Sequence, residues 1–123
     1  MEIETTEPVE VLDVTDAVER ALPAGASGTC TVFVEHTTCG VAVNEAERRL
    51  LGDIETALER LVPEDGYAHD AIDDNAAAHL RSMLLGPAAT VPVEDGELAL
   101  GTWQSVLLVE CDGPRTRRLR VVG

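Results

Sequence analysis

The chain predicts an α+β fold, and three features of its pattern carry that reading. Segments with period-two alternation stand toward both ends, two segments with helical spacing stand between them, and no βαβ unit repeats along the chain. At 123 residues the sequence has room for one domain, residues 1–123, burying roughly two thirds of the surface its unfolded form exposes. No internal repeat, linker or low-complexity stretch divides it.

Val9 to Leu12 predicts a first strand, and Thr15 a cap for a short helix through about Leu22, stopped by Pro23 and Gly25. From Thr29 to Glu35, β-branched residues and Phe33 alternate with period two, which predicts a strand, with Val41 to Asn44 as its expected partner. Leu50, Ile54, Leu58 and Leu61 recur at helical spacing until Pro63 forbids continuation. Asn75 is placed to cap a second long helix whose expected apolar face is Ala76, Leu80, Met83 and Leu84, with Gly86-Pro87 ending it. Beyond Ala88 the pattern is extended. Asp95-Gly96 suits a tight hairpin, Pro92 restricts its segment to an edge or bulge, Trp103 to Val109 reads as a central strand apolar on both faces, and Leu119 to Val122 closes the sheet.

Charge narrows the partners. The formal net charge is −14, from 23 acids against nine arginines, and lysine is absent. Such a field repels phosphate backbones, and Phe33, Tyr67 and Trp103 are too few to form a stacking platform, so nucleic acid is not an expected partner. An acidic, lysine-free surface instead fits a halophilic protein, because molar salt screens the self-repulsion. Without an apolar run of about 18 residues, and with an acidic start, the expectation is a cytoplasmic protein that does not engage a membrane. Cys30, Cys39 and Cys111 lack CxxC spacing, which argues against a disulfide framework or a thiolate zinc site; Cys39, near His36, is kept as a lesser candidate for reactivity. Arg115, Arg117, Arg118 and Arg120 form a late basic patch.

Uncommon polar residues interrupt the apolar segments in a pattern that predicts a site. His36 ends an alternating strand, His69 falls in a loop, and His79 lies near a helix start, all positions where strand ends and helix starts converge. Three histidines leaving an open coordination position would suit a divalent metal such as zinc, with magnesium as the other candidate, although no HExxH-like signature is present. Glu45 continues the alternation of Val41 and Val43, so its carboxylate needs a cation or hydrogen-bond partner. Thr37 and Thr38 supply hydroxyls, the helix start at Asn75 supplies free N–H groups, and Arg115 and Arg117 suit bidentate phosphate recognition. Trp103 and Gln104 offer an aromatic face and an amide for a heterocycle. The expected ligand is a phosphorylated heterocyclic small molecule. His79, His36 and Glu45 are the catalytic candidates, as acid–base groups or metal ligands.

The order of His36-Thr37-Thr38, Asn44-Glu45, Asn75 to His79, and Leu100 to Gln104 resembles the YjbQ-like family, also called the secondary thiamine-phosphate synthase family. Leu61 to Gly66, Val91 to Gly96 and Asp112 to Arg115 fall in the same order, so the resemblance spans roughly residues 9–122. It implies two packed, mostly antiparallel β-sheets with two to three helices, assembled as a homotrimer. Histidine at 36, 69 and 79 and the Asn44-Glu45 pair match the family pattern. The implied activity joins a hydroxymethylpyrimidine diphosphate to a thiazole phosphate with release of pyrophosphate. Two alternatives stand beside it: a metal-dependent hydrolase of a small phosphate or amide compound, and a non-catalytic binding module for a phosphorylated metabolite.

Overall fold

The computed structural model describes residues 1–123. Eight strands and three α-helices follow the order β1 (Glu2–Glu4), β2 (Glu10–Asp13), α1 (Thr15–Arg20), β3 (Gly28–Val34), β4 (Cys39–Asn44), α2 (Arg48–Leu61), a 3₁₀ turn (Ala68–Ala71), α3 (Ala76–Leu85), β5 (Ala88–Glu94), β6 (Glu97–Leu98), β7 (Ser105–Glu110) and β8 (Thr116–Val122). They form two antiparallel sheets, a five-stranded one ordered β1-β8-β3-β5-β6 and a three-stranded one ordered β2-β7-β4. The α+β reading with two sheets therefore holds.

Alternation in the strands builds the layers. Cys30, Val32 and Val34 of β3, with Val91 and Val93 of β5 and Leu119 of β8, meet Val41, Val106 and Leu108 from the smaller sheet in the main core. On the other face of the smaller sheet, Val11, Leu107, Val109 and Cys111 meet Leu58 of α2 and Ala78 of α3. Strand β7 is thus buried on both sides, as its unbroken apolar run requires. Asp95-Gly96 makes the β5–β6 hairpin with positive φ at both residues, the conformation that favours glycine and tolerates aspartate.

Several expectations are corrected. Segment 41–44 does not pair with β3. Residues 35–38 carry the chain across the sandwich, so β3 pairs with β5 and β8 while β4 pairs with β7. Helix α1 ends at Arg20, and Thr15 accepts the Val106 N–H through Oγ1 without capping the helix by its side chain. Strand β1 was not foreseen, because Glu-Ile-Glu is too short and acidic to signal one. Trp103 precedes β7 in a turn and is 74 % exposed. The α3 face is also different: Ala77, Ala78, Arg81 and Ser82 are buried, whereas Met83 and Leu84 point outward. Small residues are needed there because β4 comes close. At Gly40 an added Cβ would lie 2.7 Å from the Leu85 Cβ. In α2, Leu61 is exposed and Val62 takes the buried place.

Candidate functional site

Crossing from β3 to β4 places His36, Thr37 and Thr38 opposite the loop that follows β7 and the start of α3. Between them lies an open cleft of about 800 Å³, lined by Glu35, His36, Thr37, Thr38, Asp73, Asn75, His79, Asp112, Pro114, Arg115, Thr116 and Arg117. Apart from Pro114, every lining residue is polar. Seven of the expected site residues meet here: His36, Thr37, Thr38, Asn75, His79, Arg115 and Arg117.

The floor is a buried ion pair. Glu110 is fully buried and Arg117 is 2 % exposed, so each charge needs the other. Arg117 Nε donates to both Glu110 carboxylate oxygens, at 2.8 and 3.1 Å, and Nη2 donates to Glu110 Oε2 as well. Nη2 also donates to Thr38 Oγ1 at 2.8 Å and to the Thr38 carbonyl at 3.1 Å. Nη1 makes no hydrogen bond within the chain and is the donor left for the cleft. The Arg117 pKa is raised although burial opposes its charge, because the Glu110 hydrogen bond and nearby negative groups favour it. Thr38 is buried and occupied by Arg117, which makes it a support for the guanidinium and leaves Thr37 as the exposed hydroxyl.

His36 has a defined protonation pattern. Its Nε2 accepts the Arg118 backbone N–H at 2.8 Å, so the proton of the neutral ring sits on Nδ1. Burial first, then the positive charges of Arg117 and Arg118, hold its pKa below the usual histidine value. His36 is therefore a neutral donor here, which corrects its expected roles as base and metal ligand. His79 lines the cleft from the first turn of α3, and its ring meets His69 edge to face with centroids 4.9 Å apart. His69 is exposed outside the cleft, and no group of three or more His, Cys, Asp or Glu side chains is placed to hold a metal ion. The expected His36, His69 and His79 set thus does not fit a zinc or magnesium site in this chain.

At the α3 start, Asn75 spends its side-chain amide on Asp112 (3.0 Å) and leaves its Oδ1 buried without a partner. The Ala76 N–H reaches Asp70 at 3.4 Å, while those of Ala77 and Ala78 have no partner in the chain. Arg115 pairs with Asp112 at 3.0 Å on the rim. The basic patch is largely neutralised, since Glu35 takes both Arg118 and Arg120. The Arg120 hydrogen bond first, then the charges of Arg120 and the more distant Arg118, keep the Glu35 carboxyl below its usual range.

Glu45, Trp103 and Gln104 are not in the cleft. Glu45 and Trp103 line a separate pocket of about 310 Å³ with Ala46, Glu47, Thr102 and Ser105. Gln104 folds its Oε1 back onto the Gly101 N–H at 2.8 Å, so it shapes the turn that projects Trp103. All three cysteines are buried and free; burial pushes Cys39 up to about 11 and Cys111 up to about 12, which removes Cys39 as a reactive thiolate. Sequence reasoning missed Glu110, Asp112 and Glu35. Only Glu110 had a signal, a lone carboxylate closing the apolar run 106–109.

Comparisons with known proteins agree with this architecture. The family model described as "UPF0047 protein YjbQ-like" matches residues 1–122. A UPF0047 protein of Archaeoglobus fulgidus is 51 % identical over 120 residues, covering 97 % of this chain and 94 % of the relative. YugU of Bacillus subtilis, another UPF0047 protein, is 36 % identical, covering 95 % and 91 %. A hypothetical protein from Aeropyrum pernix superposes with a TM-score of 0.94 at 43 % identity, covering 99 % of this chain and 93 % of that one.

Proposed function

The chain belongs to the UPF0047 YjbQ-like family, and we propose that its polar cleft binds the phosphate or diphosphate end of a small molecule, as in thiamine-phosphate formation. The observation that carries this reading is the buried Arg117, which lines the cleft with its charge held by Glu110 and its Nη1 without a partner in the chain. Around it stand the His36 Nδ1–H, the Thr37 hydroxyl, Arg115 and His79, the last from the first turn of α3. Donors fixed by burial need no reorganisation to meet an anion.

In the proposed transfer, the C–O bond between the pyrimidine methylene and its diphosphate breaks, and pyrophosphate leaves with the electron pair. The thiazole nitrogen lone pair then forms the new C–N bond. That exchange requires no proton abstraction, so the catalytic work is stabilisation of the leaving group and orientation of two rings. His79, on the cleft wall, is assigned as the hydrogen-bond donor to the departing oxygen. We extend the reading to a homotrimer, for which Phe33, Ile72, Met83 and Leu84 supply exposed apolar surface.

One observation favours the second reading, a binding module without turnover: imidazoles are the only aromatic rings lining the cleft, and Trp103 lies elsewhere. Pyrophosphate titration followed by a thiamine-phosphate assay separates the two. His79→Ala is expected to keep a cooperatively melting protein and to lower product formation at least ~100-fold, the lower end of the loss when one donor to developing charge is removed. Pyrophosphate binding without product would leave the binding module; no pyrophosphate binding would remove the anion-cleft reading altogether.

A further inference from the structure

We infer that Thr5, just after β1, is a positioning residue for the cleft, its hydroxyl joining the supports of Arg115 and Arg117. The inference rests on the anion-binding reading and names the part of the fold that sets the spacing of its two arginines.

Thr5 is 5 % exposed and lies outside the cleft lining. Its Oγ1 donates to Glu110 Oε1 at 2.7 Å and accepts the Arg115 backbone N–H at 2.9 Å. Its own backbone N–H donates to the Arg115 carbonyl at 2.9 Å. Oγ1 also stands 3.1 Å from that carbonyl, but a hydroxyl has one proton, and a carboxylate within an ion pair is the stronger acceptor. Glu110 Oε1 in turn takes Arg117 Nε at 2.8 Å. A continuous path therefore runs from the Arg115 backbone through the Thr5 hydroxyl and Glu110 to the Arg117 guanidinium.

The loop after β7 is pressed onto this path. A Cβ added at Gly113 would lie 2.8 Å from Glu110 Cγ and 2.9 Å from Thr5 Oγ1. Removing the hydroxyl alone leaves the Arg115 N–H without its acceptor and Glu110 without one of its donors. Arg115 then keeps only its carbonyl bond to the Thr5 N–H and its side-chain bonds to Asp112. Arg117 is then the only side chain bonded to Glu110, and its guanidinium is free to turn toward the oxygen that Thr5 has left.

Thr5→Val keeps the shape and deletes the hydroxyl; Thr5→Ser keeps the hydroxyl. In calorimetric titration with pyrophosphate, Thr5→Val is expected to bind about tenfold more weakly, the effect of losing a hydrogen bond to a charged group, and Thr5→Ser to stay within about twofold of wild type. Wild-type affinity in a folded Thr5→Val protein would overturn the inference. Should that variant not fold, Thr5→Cys, with a similar volume and a weak S–H donor, is read in the same titration, with unchanged affinity again overturning it. If wild type itself fails to bind pyrophosphate, the anion-cleft reading falls, and Thr5 is judged on hydrogen exchange of the Arg117 Nε proton. Faster exchange in Thr5→Val, restored in Thr5→Ser, supports the coupling; equal exchange in all three overturns it.

Discussion

The histidine cleft and the Trp103 pocket were both legible as polar interruptions of apolar sequence, yet the fold supports them differently. Beneath the cleft is a long-range network: Thr5, Thr38, Glu110 and Arg117 come from four parts of the chain and are almost fully buried. The Trp103 pocket rests on local bonds, Gln104 to Gly101 and Asn44 to the Glu45 N–H, and its aromatic ring stands in solvent. The contrast teaches that a buried charge marks the place where the fold has committed itself, whereas an exposed aromatic held by a turn has only been presented. Perturbing the two regions should therefore give opposite profiles of stability and binding.

The largest expected effect comes from breaking the network. Glu110→Ala strands the Arg117 guanidinium without its counter-charge, and losses of this kind cost about 3–5 kcal/mol. Urea unfolding checks it. A loss below about 1 kcal/mol would show that Arg117 finds water in the cleft, and the distinction between a committed floor and a presented pocket would weaken.

How far the sequence could be read depended on what kind of information each feature carried. Period two in 29–35 identifies a strand and its inner face, since Cys30, Val32 and Val34 are all buried, but periodicity does not name a partner, and β4 went to the other sheet. Helical spacing located α3, yet its buried side was misjudged, because alanines give little contrast and a buried Arg81 reads as surface. Arg81 is tolerated there because its guanidinium bonds the Val62 carbonyl at 2.7 Å. Seven cleft residues were legible as polar types at element ends. Glu35 and Asp112 were hidden among 23 acids, and Thr5 had no local pattern at all, since its role exists only after distant segments meet.

Salt should separate the regions next. If the lysine-free surface is a halophilic trait, raising KCl from 0.1 to 1 M, which shortens the Debye length from ~10 to ~3 Å, should raise the melting temperature by at least about 4 °C. The buried Glu110–Arg117 pair should contribute little to that change, so the increment should persist in a folded Glu110→Gln variant. A melting temperature indifferent to salt would remove the halophilic reading.

A smaller effect is expected from pH. The folded-state pKa of His36 is depressed, so above the unfolded value of 6.5 the ring is neutral in both states and its contribution to stability is fully present. As pH falls below 6.5 the unfolded chain takes up the proton first, and stability is lost until the folded ring is also protonated. His36→Gln, which keeps an acceptor for the Arg118 N–H, should flatten the decline in unfolding free energy between pH 6.5 and lower values. An unchanged slope would assign the decline to other groups and leave His36 with no measurable coupling to the floor.

The smallest effect, and the sharpest test of the comparison, is expected at Trp103. The side chain is 74 % exposed, so Trp103→Ala should change stability by no more than about 0.5 kcal/mol, the usual range for surface substitutions away from special features. Within one chain its pocket shares no lining residue with the cleft, and pyrophosphate affinity should stay within about twofold of wild type. Calorimetric titration of the variant decides the matter. Should affinity fall tenfold while the melting temperature holds, the ring must reach the cleft by a route a single chain does not provide, namely from another copy. The separation drawn here would then belong to the monomer alone, and the single site expected from the sequence would be restored by assembly.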